Sequence, residues 1–172
     1  VFLNCTLLSE VNLTSGITHI GLSTFEGCRS LKTIDLPDGL IEIGSNAFDG
    51  CILLNDIELP DKLNTLGSYS FQGCTSLSSM HLPESIRYIN QYAFKGCTGL
   101  EKVVWNAKNV ADFNQNNHIF YLAGLHSEGI DVVFGENVEK IPAYVFFPYN
   151  SDTYSNPKIK NVIMGNKVKT IG

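Results

Sequence analysis

Basic residues are scarce in this sequence: 12 Lys and Arg stand against 17 Asp and Glu among 172 residues, for a formal net charge of -5. The few cations are scattered along the chain, so no positive field exists to release counterions from a phosphate backbone, and nucleic acid is excluded as an expected partner. Long apolar runs are also missing. None approaches the roughly 20 residues that a membrane-spanning helix requires, so membrane insertion by this stretch is not expected. The catalytic vocabulary is equally thin. There is no helical His-Glu-x-x-His, no Gly-rich phosphate loop after a strand, no Cys-x-x-Cys pair and no Ser or Cys nucleophile with a readable partner. Four histidines are present: His19, His81, His118 and His126. The first two fall in exposed columns of different strands. The other two share an irregular segment in which they could approach Asp112 or Glu128, although loop histidines are usually plain polar residues. No enzymatic activity, cofactor or metal is expected. A 44% hydrophobic composition is enough for one core, and residues 1–172 read as a single domain.

What the chain does have is a period. Its five cysteines, Cys5, Cys28, Cys51, Cys74 and Cys97, are each 23 residues apart. The same interval joins Phe2, Phe25, Phe48, Phe71 and Phe94, and it joins Leu8, Leu31, Leu54, Leu77 and Leu100. Further columns follow from Val11 through Ile34, Ile57 and Met80 to Val103, and from Ile20 through Ile43 and Leu66 to Ile89. A short unit repeated at constant spacing cannot bury its apolar side chains alone, whereas stacked units place identical columns on one another and build a continuous core. The alternation Ile34, Asp35, Leu36 predicts a strand about four residues long. Pro37, Pro60 and Pro83 would end it by removing a donor and fixing the backbone. Leu40 to Ile43 reads as a second extended piece. Ala47, Phe48 and Cys51 are spaced for about two turns of helix or 3₁₀-helix.

The regular coils run from about residue 2 to residue 105, and enlarged ones follow over about 106–172. Val132, Phe134, Gly135, Val138, Ile141, Val145 and Phe146 resume the pattern after extra residues between Asn106 and Gly129, expected to be a folded ornament of the solenoid. A last strand begins near Val162, after a polar loop around Pro148 to Pro157. Val1 and Phe2 occupy the places of Ala47 and Phe48, and Gly172 that of Gly44, so the array is expected to continue at both ends.

The line L-P-x-x-L-x-x-I-G-x-x-A-F-x-G-C, nearly unbroken over Leu36 to Cys51 and Leu59 to Cys74, resembles the BspA-like class of leucine-rich repeats. The resemblance implies an α/β fold: a right-handed horseshoe solenoid with a parallel sheet of about seven strands and short helical or 3₁₀ turns on the other side. It also implies an extracellular or cell-surface protein that adheres to a protein or glycan ligand on host matrix or another cell. Trp105 in a Leu column and Asn90 in a Gly column depart from the pattern.

One thiol per layer cannot surround a metal ion, and parallel Cβ vectors rarely allow the disulfide dihedral, so the cysteines read as free buried thiols acting as small hydrophobes. In a solenoid of this type the outward side chains of the sheet form the extended surface that partners use. One such column is Asp35, Glu58, His81, Val104, Val133 and Ile163, which turns from acidic to apolar along the array. Contiguous exposed apolar side chains mark interaction surfaces, while Val and Ile also suit any half-exposed strand position. A secondary candidate is the stripe Tyr69, Tyr92 and Tyr144, with Tyr88 on a neighbouring column. Rigid amphipathic rings favour interfaces, and stacking between coils would explain the repetition equally well. Asn4 and Asn12 begin glycosylation patterns. The reading is a non-catalytic interaction or adhesion module; a passive stalk, or an accessory domain of an enzyme, is the alternative.

Overall fold

A computed structural model describes residues 1–147 and 156–172. The chain winds as stacked coils held together by parallel pairing at three places. One ladder joins β1 (His19–Ile20), β2 (Glu42–Ile43), β3 (Thr65–Leu66) and β5 (Tyr88–Ile89). It is the short second extended piece of each coil, which follows Pro37, Pro60 and Pro83 in three of them and Thr14 in the first. The main sheet joins β4 (Ser79–Leu82), β6 (Lys102–Trp105), β7 (Ile130–Phe134) and β9 (Ile159–Met164), in that order. Its register places Met80, Val103, Val132 and Val162 side by side. Last, β8 (Lys140–Ile141) pairs with β10 (Thr170–Ile171).

The main sheet has four strands rather than about seven. In the earlier coils the equivalent positions are extended but joined only by the bridge between Thr33 and Asp56. The outward positions there are Thr33, Asp35, Asp56 and Glu58. These include poor strand formers, and like charges stand at successive levels of the same column, which weakens pairing. From β4 onward the ladder closes, and valines occupy both faces of β6 and β7 beside the outward Lys102 and Asp131.

Among the described residues there is no helix, so the expected helical turns are corrected to a chain of tight turns. Ala47, Asp49 and Cys51 donate to carbonyls three residues back, at Gly44, Asn46 and Phe48. Between them Asn46, Phe48 and Gly50 donate to Ser68, Ser70 and Gln72 of the next coil at 2.8 to 2.9 Å. A helix is prevented because Asn46 (φ 56) and Gly50 (φ 70) are left-handed. Two such residues in five stop right-handed propagation, and the backbone groups find partners between coils instead.

The core is the predicted set of columns. Phe25, Phe48, Phe71 and Phe94 are buried and stack with ring centroids 5.3 to 5.7 Å apart. The column continues through Phe120 to Phe146, at 5.3 and 5.4 Å. The enlarged coil therefore contains a core Phe that sequence spacing hid, and the extra residues divide on either side of it. That insertion sends Ala107, Val110, Phe113, Ile119, Phe120 and Ala123 into the core. It is a folded part of the solenoid, as expected. Of the later loop insertion, residues 148–155 lie outside the described residues. No helix among the described residues is long and apolar enough to cross a membrane.

Candidate functional site

The cysteine column is structural. Cys28, Cys51, Cys74 and Cys97 are buried, unpaired thiols, while Cys5 is exposed. Each buried Sγ donates to the main-chain carbonyl of a Phe in the preceding coil, Cys51 to Phe25 at 3.1 Å and Cys74 to Phe48 at 3.2 Å. Burial, and then the neighbouring thiol of Cys28, pushes Cys51 up to about 12. Burial takes Cys97 to about 12 as well. A thiol so hard to ionise is no nucleophile. Among the described residues no group of three or more His, Cys, Asp or Glu side chains could hold a metal ion. His118 is buried and stacked on Tyr92 at 5.8 Å, so the structure makes it a packing residue in the tyrosine column.

That column carries the secondary candidate. Tyr69 and Tyr92 are half-buried and stack at 5.2 Å, and Tyr144 is exposed and meets Phe147 edge-on at 5.0 Å. Since His118 also approaches Phe147, at 6.3 Å, the stripe becomes one connected run of rings. Lys95 Nζ lies 5.2 to 5.8 Å from the ring centroids of Tyr69, Tyr92 and Tyr121. Sequence reasoning missed His118 and Phe147. The equal 26-residue steps from Tyr92 to His118 and from Phe94 to Phe120 were the available signal. Tyr69, Tyr92 and Tyr144 have φ of 58°, 59° and 59°, a left-handed backbone that suits the Ser23 and Asn46 of the same column better than an aromatic.

The primary candidate is brought together by the main sheet. His81, Val104, Val133 and Ile163 are direct register partners across β4, β6, β7 and β9. Val104 and Val133 are half-buried, His81 is exposed, and Ile163 is 57% exposed. Asp35 and Glu58 are exposed at the polar end of the same column. Open clefts lie between successive coils along this column, even across the Thr33–Asp56 bridge. One of about 360 Å³ is lined by Asp35, Asp56 and Glu58, and the next, of about 290 Å³, runs on to Ser79 and His81.

Ion pairs between coils gather in the later part of the chain, where Glu101, Asp131 and Glu136 nevertheless take part in none that the described residues form. Among the described residues, four ion pairs join neighbouring coils: Glu84–Lys108, Asp112–Lys140, Glu128–Lys160 and Glu139–Lys169. Hydrogen bonds from Lys108, Lys140 and Lys169 hold Glu84, Asp112 and Glu139 below the usual carboxylate range. All of these lie beyond His81, and none involves Asp35, Asp56 or Glu58.

Comparison with known proteins agrees with the geometry. The model of the BspA type leucine-rich repeat region matches in 6 copies over residues 1–123. The chain belongs to that family. It is similar to the leucine-rich repeat protein of T. pallidum, with 34% identity and a TM-score of 0.63, over 91% of this chain and 68% of that one. It is similar to a leucine-rich cell surface protein of Faecalibacterium prausnitzii, with 25% identity and a TM-score of 0.57, over 90% of this chain and 31% of that one. The pneumococcal vaccine antigen PcpA shares the fold, at 19% identity and a TM-score of 0.63, over 95% of this chain and 41% of that one. The chain thus spans well under half the length of the last two. No curated protein matches the sequence.

Proposed function

We propose that this chain is a non-catalytic ligand-binding module of a cell-surface or secreted protein, adhering to a protein or glycan through the outward face of its main sheet. The observation that carries this reading is the in-register ladder of Val104, Val133 and Ile163, three apolar side chains at successive levels of one solvent-facing column. An isolated exposed valine needs no explanation, but a contiguous apolar strip on a rigid sheet is what recognition surfaces present. The cell-surface description of the F. prausnitzii protein supports the location, and the repeat family supports the non-catalytic reading. The tyrosine run remains the second surface, favoured by its strained backbone, since strained residues persist where the surroundings hold them and collect at functional sites.

The test is binding of the chain to a panel of purified extracellular-matrix proteins and to a glycan array, repeated with V104D/V133D. The expected outcome is a ligand retained by the native chain and lost by the variant. Because two carboxylates at register-paired positions also weaken the ladder, V104T/V133T, which keeps β-branched side chains there, is measured beside it and should weaken binding with melting temperature nearly unchanged. Binding that survives the substitution, or a panel with no ligand at all, would contradict the proposal.

A further inference from the structure

The apolar ladder is only half of its column. Continuing the same line toward the N-terminus, the outward side chains are His81, Glu58 and Asp35, with Asp56 beside them in the adjoining clefts. Among the described residues Asp35, Asp56 and Glu58 take part in no ion pair, while the carboxylates paired across coils all lie further along the chain. The imbalance is global as well as local. Residues 1–80 carry nine Asp and Glu against three Lys and Arg, whereas residues 81–172 carry eight against nine. Lys32 is the cation in the cleft that it shares with Glu10 and Asp35, while the column beside the apolar ladder holds Lys102, Asp131 and Asn161, where Asn161 donates to the Asp131 carboxylate at 2.7 Å.

Unpaired carboxylates leading into an apolar strip on one face define a partner by complementarity. We infer that this face takes an extended protein segment with basic residues at one end and aliphatic residues at the other, laid along the array with its cations over Asp35, Asp56 and Glu58 and its apolar end over Val104, Val133 and Ile163. The inference rests on the sheet being the binding face and adds the chemistry of its ligand. Geometry fixes the length. Six levels from Asp35 to Ile163 make five steps of about 4.8 Å, or about 24 Å, which an extended chain rising about 3.3 Å per residue covers in about seven residues. The clefts between the early coils would admit long basic side chains, and the closed sheet beyond them offers a seat for Val or Ile. Opposed charge sets the orientation of the segment and excludes acidic partners, while desolvation of the ladder supplies the apolar contribution.

The probe is a fluorescein-labelled synthetic heptapeptide with three arginines at one end and three valines at the other, measured by fluorescence anisotropy against a counterpart with glutamates for the arginines. Binding of the cationic peptide should exceed that of the acidic one by at least about tenfold. It should weaken about tenfold with D35K/E58K, two exposed positions whose replacement leaves the core intact, and it should fall with added salt. Loss with V104D/V133D but indifference to D35K/E58K would leave the surface standing and overturn the ligand chemistry. Indifference to both variants would overturn the ligand and the surface together. No measurable binding, or preference for the acidic peptide, would overturn the inference, and the matrix and glycan panel would then decide the surface by itself.

Discussion

Single residues in this array are chosen for what the next coil needs. A buried thiol fills a small apolar volume and also donates to the Phe carbonyl of the coil before it, which a methyl group could not do. These thiols make stability depend on alkaline pH, with a definite sign. Cys51 and Cys97 rise from the ordinary 9.0 to about 12 in the fold. Above pH 9 the unfolded chain therefore releases protons that the folded chain keeps, and stability falls as pH climbs toward 12; below 9 the two states bind the same protons and nothing is lost. Thermal melts at about pH 8 and about pH 10.5 should show this decline, and C51A/C97A should be less stable at pH 8 but have a shallower slope. Equal slopes would rule out Cys51 and Cys97 as its source. Tyr69 is a second case. Its left-handed φ of 58° costs about 1–2 kcal/mol, and its stack on Tyr92 returns about 0.5–1.5 kcal/mol. Tyr69→Asn tolerates the backbone and loses the stack, so denaturant unfolding should place it within about 1 kcal/mol of the native chain. Tyr69→Val loses the stack and keeps a side chain that resists left-handed geometry, and should cost about 2 kcal/mol or more.

At the scale of elements, the period made the columns legible, and it also concealed what departs from it. The cysteine, phenylalanine and leucine columns, both extended pieces and the resumption at Val132 could all be read from spacing. The turn segment was misread because Ala47, Phe48 and Cys51 fall at helical intervals, while the left-handed residues at Asn46 and Gly50 leave no room for a helix. Asn and Ser in the first of those columns and Gly in the second were the legible warning. Phe120 escaped notice because its coil lacks the Gly-Cys ending. Leu122 stands in the glycine column with φ 60°, and the buried Ala123 takes the cysteine place. A leucine held there is strained, so Leu122→Gly should be neutral or stabilising by up to about 1 kcal/mol in chemical denaturation, opposite to an ordinary Leu→Gly change. A loss of about 2 kcal/mol would mean that its partly buried side chain outweighs the backbone. The length of the main sheet was also missed, although the change from Asp35 and Glu58 to Val104 and Val133 that sets it was visible as a change of polarity.

Taken whole, the molecule is a stack in which each coil bonds mainly to its neighbours, so a surface column is a straight line of side chains at fixed spacing. The sequence told which residues share that line. It could not tell that the main ladder begins at β4, that clefts lie beside the carboxylates, or that ion pairs gather beyond His81, because these depend on side chains meeting across coils. The consequence is one face with an acidic, grooved half and a half in which an apolar column runs beside Lys102, Asp131 and Asn161. The most direct measurement is amide hydrogen exchange of the native chain, free and bound to the ligand found in the matrix and glycan panel. Binding at the sheet face should slow exchange within Ser79–Leu82, Lys102–Trp105, Ile130–Phe134 and Ile159–Met164. Protection confined to the turns around Tyr69, Tyr92 and Tyr144, with the sheet unchanged, would contradict it.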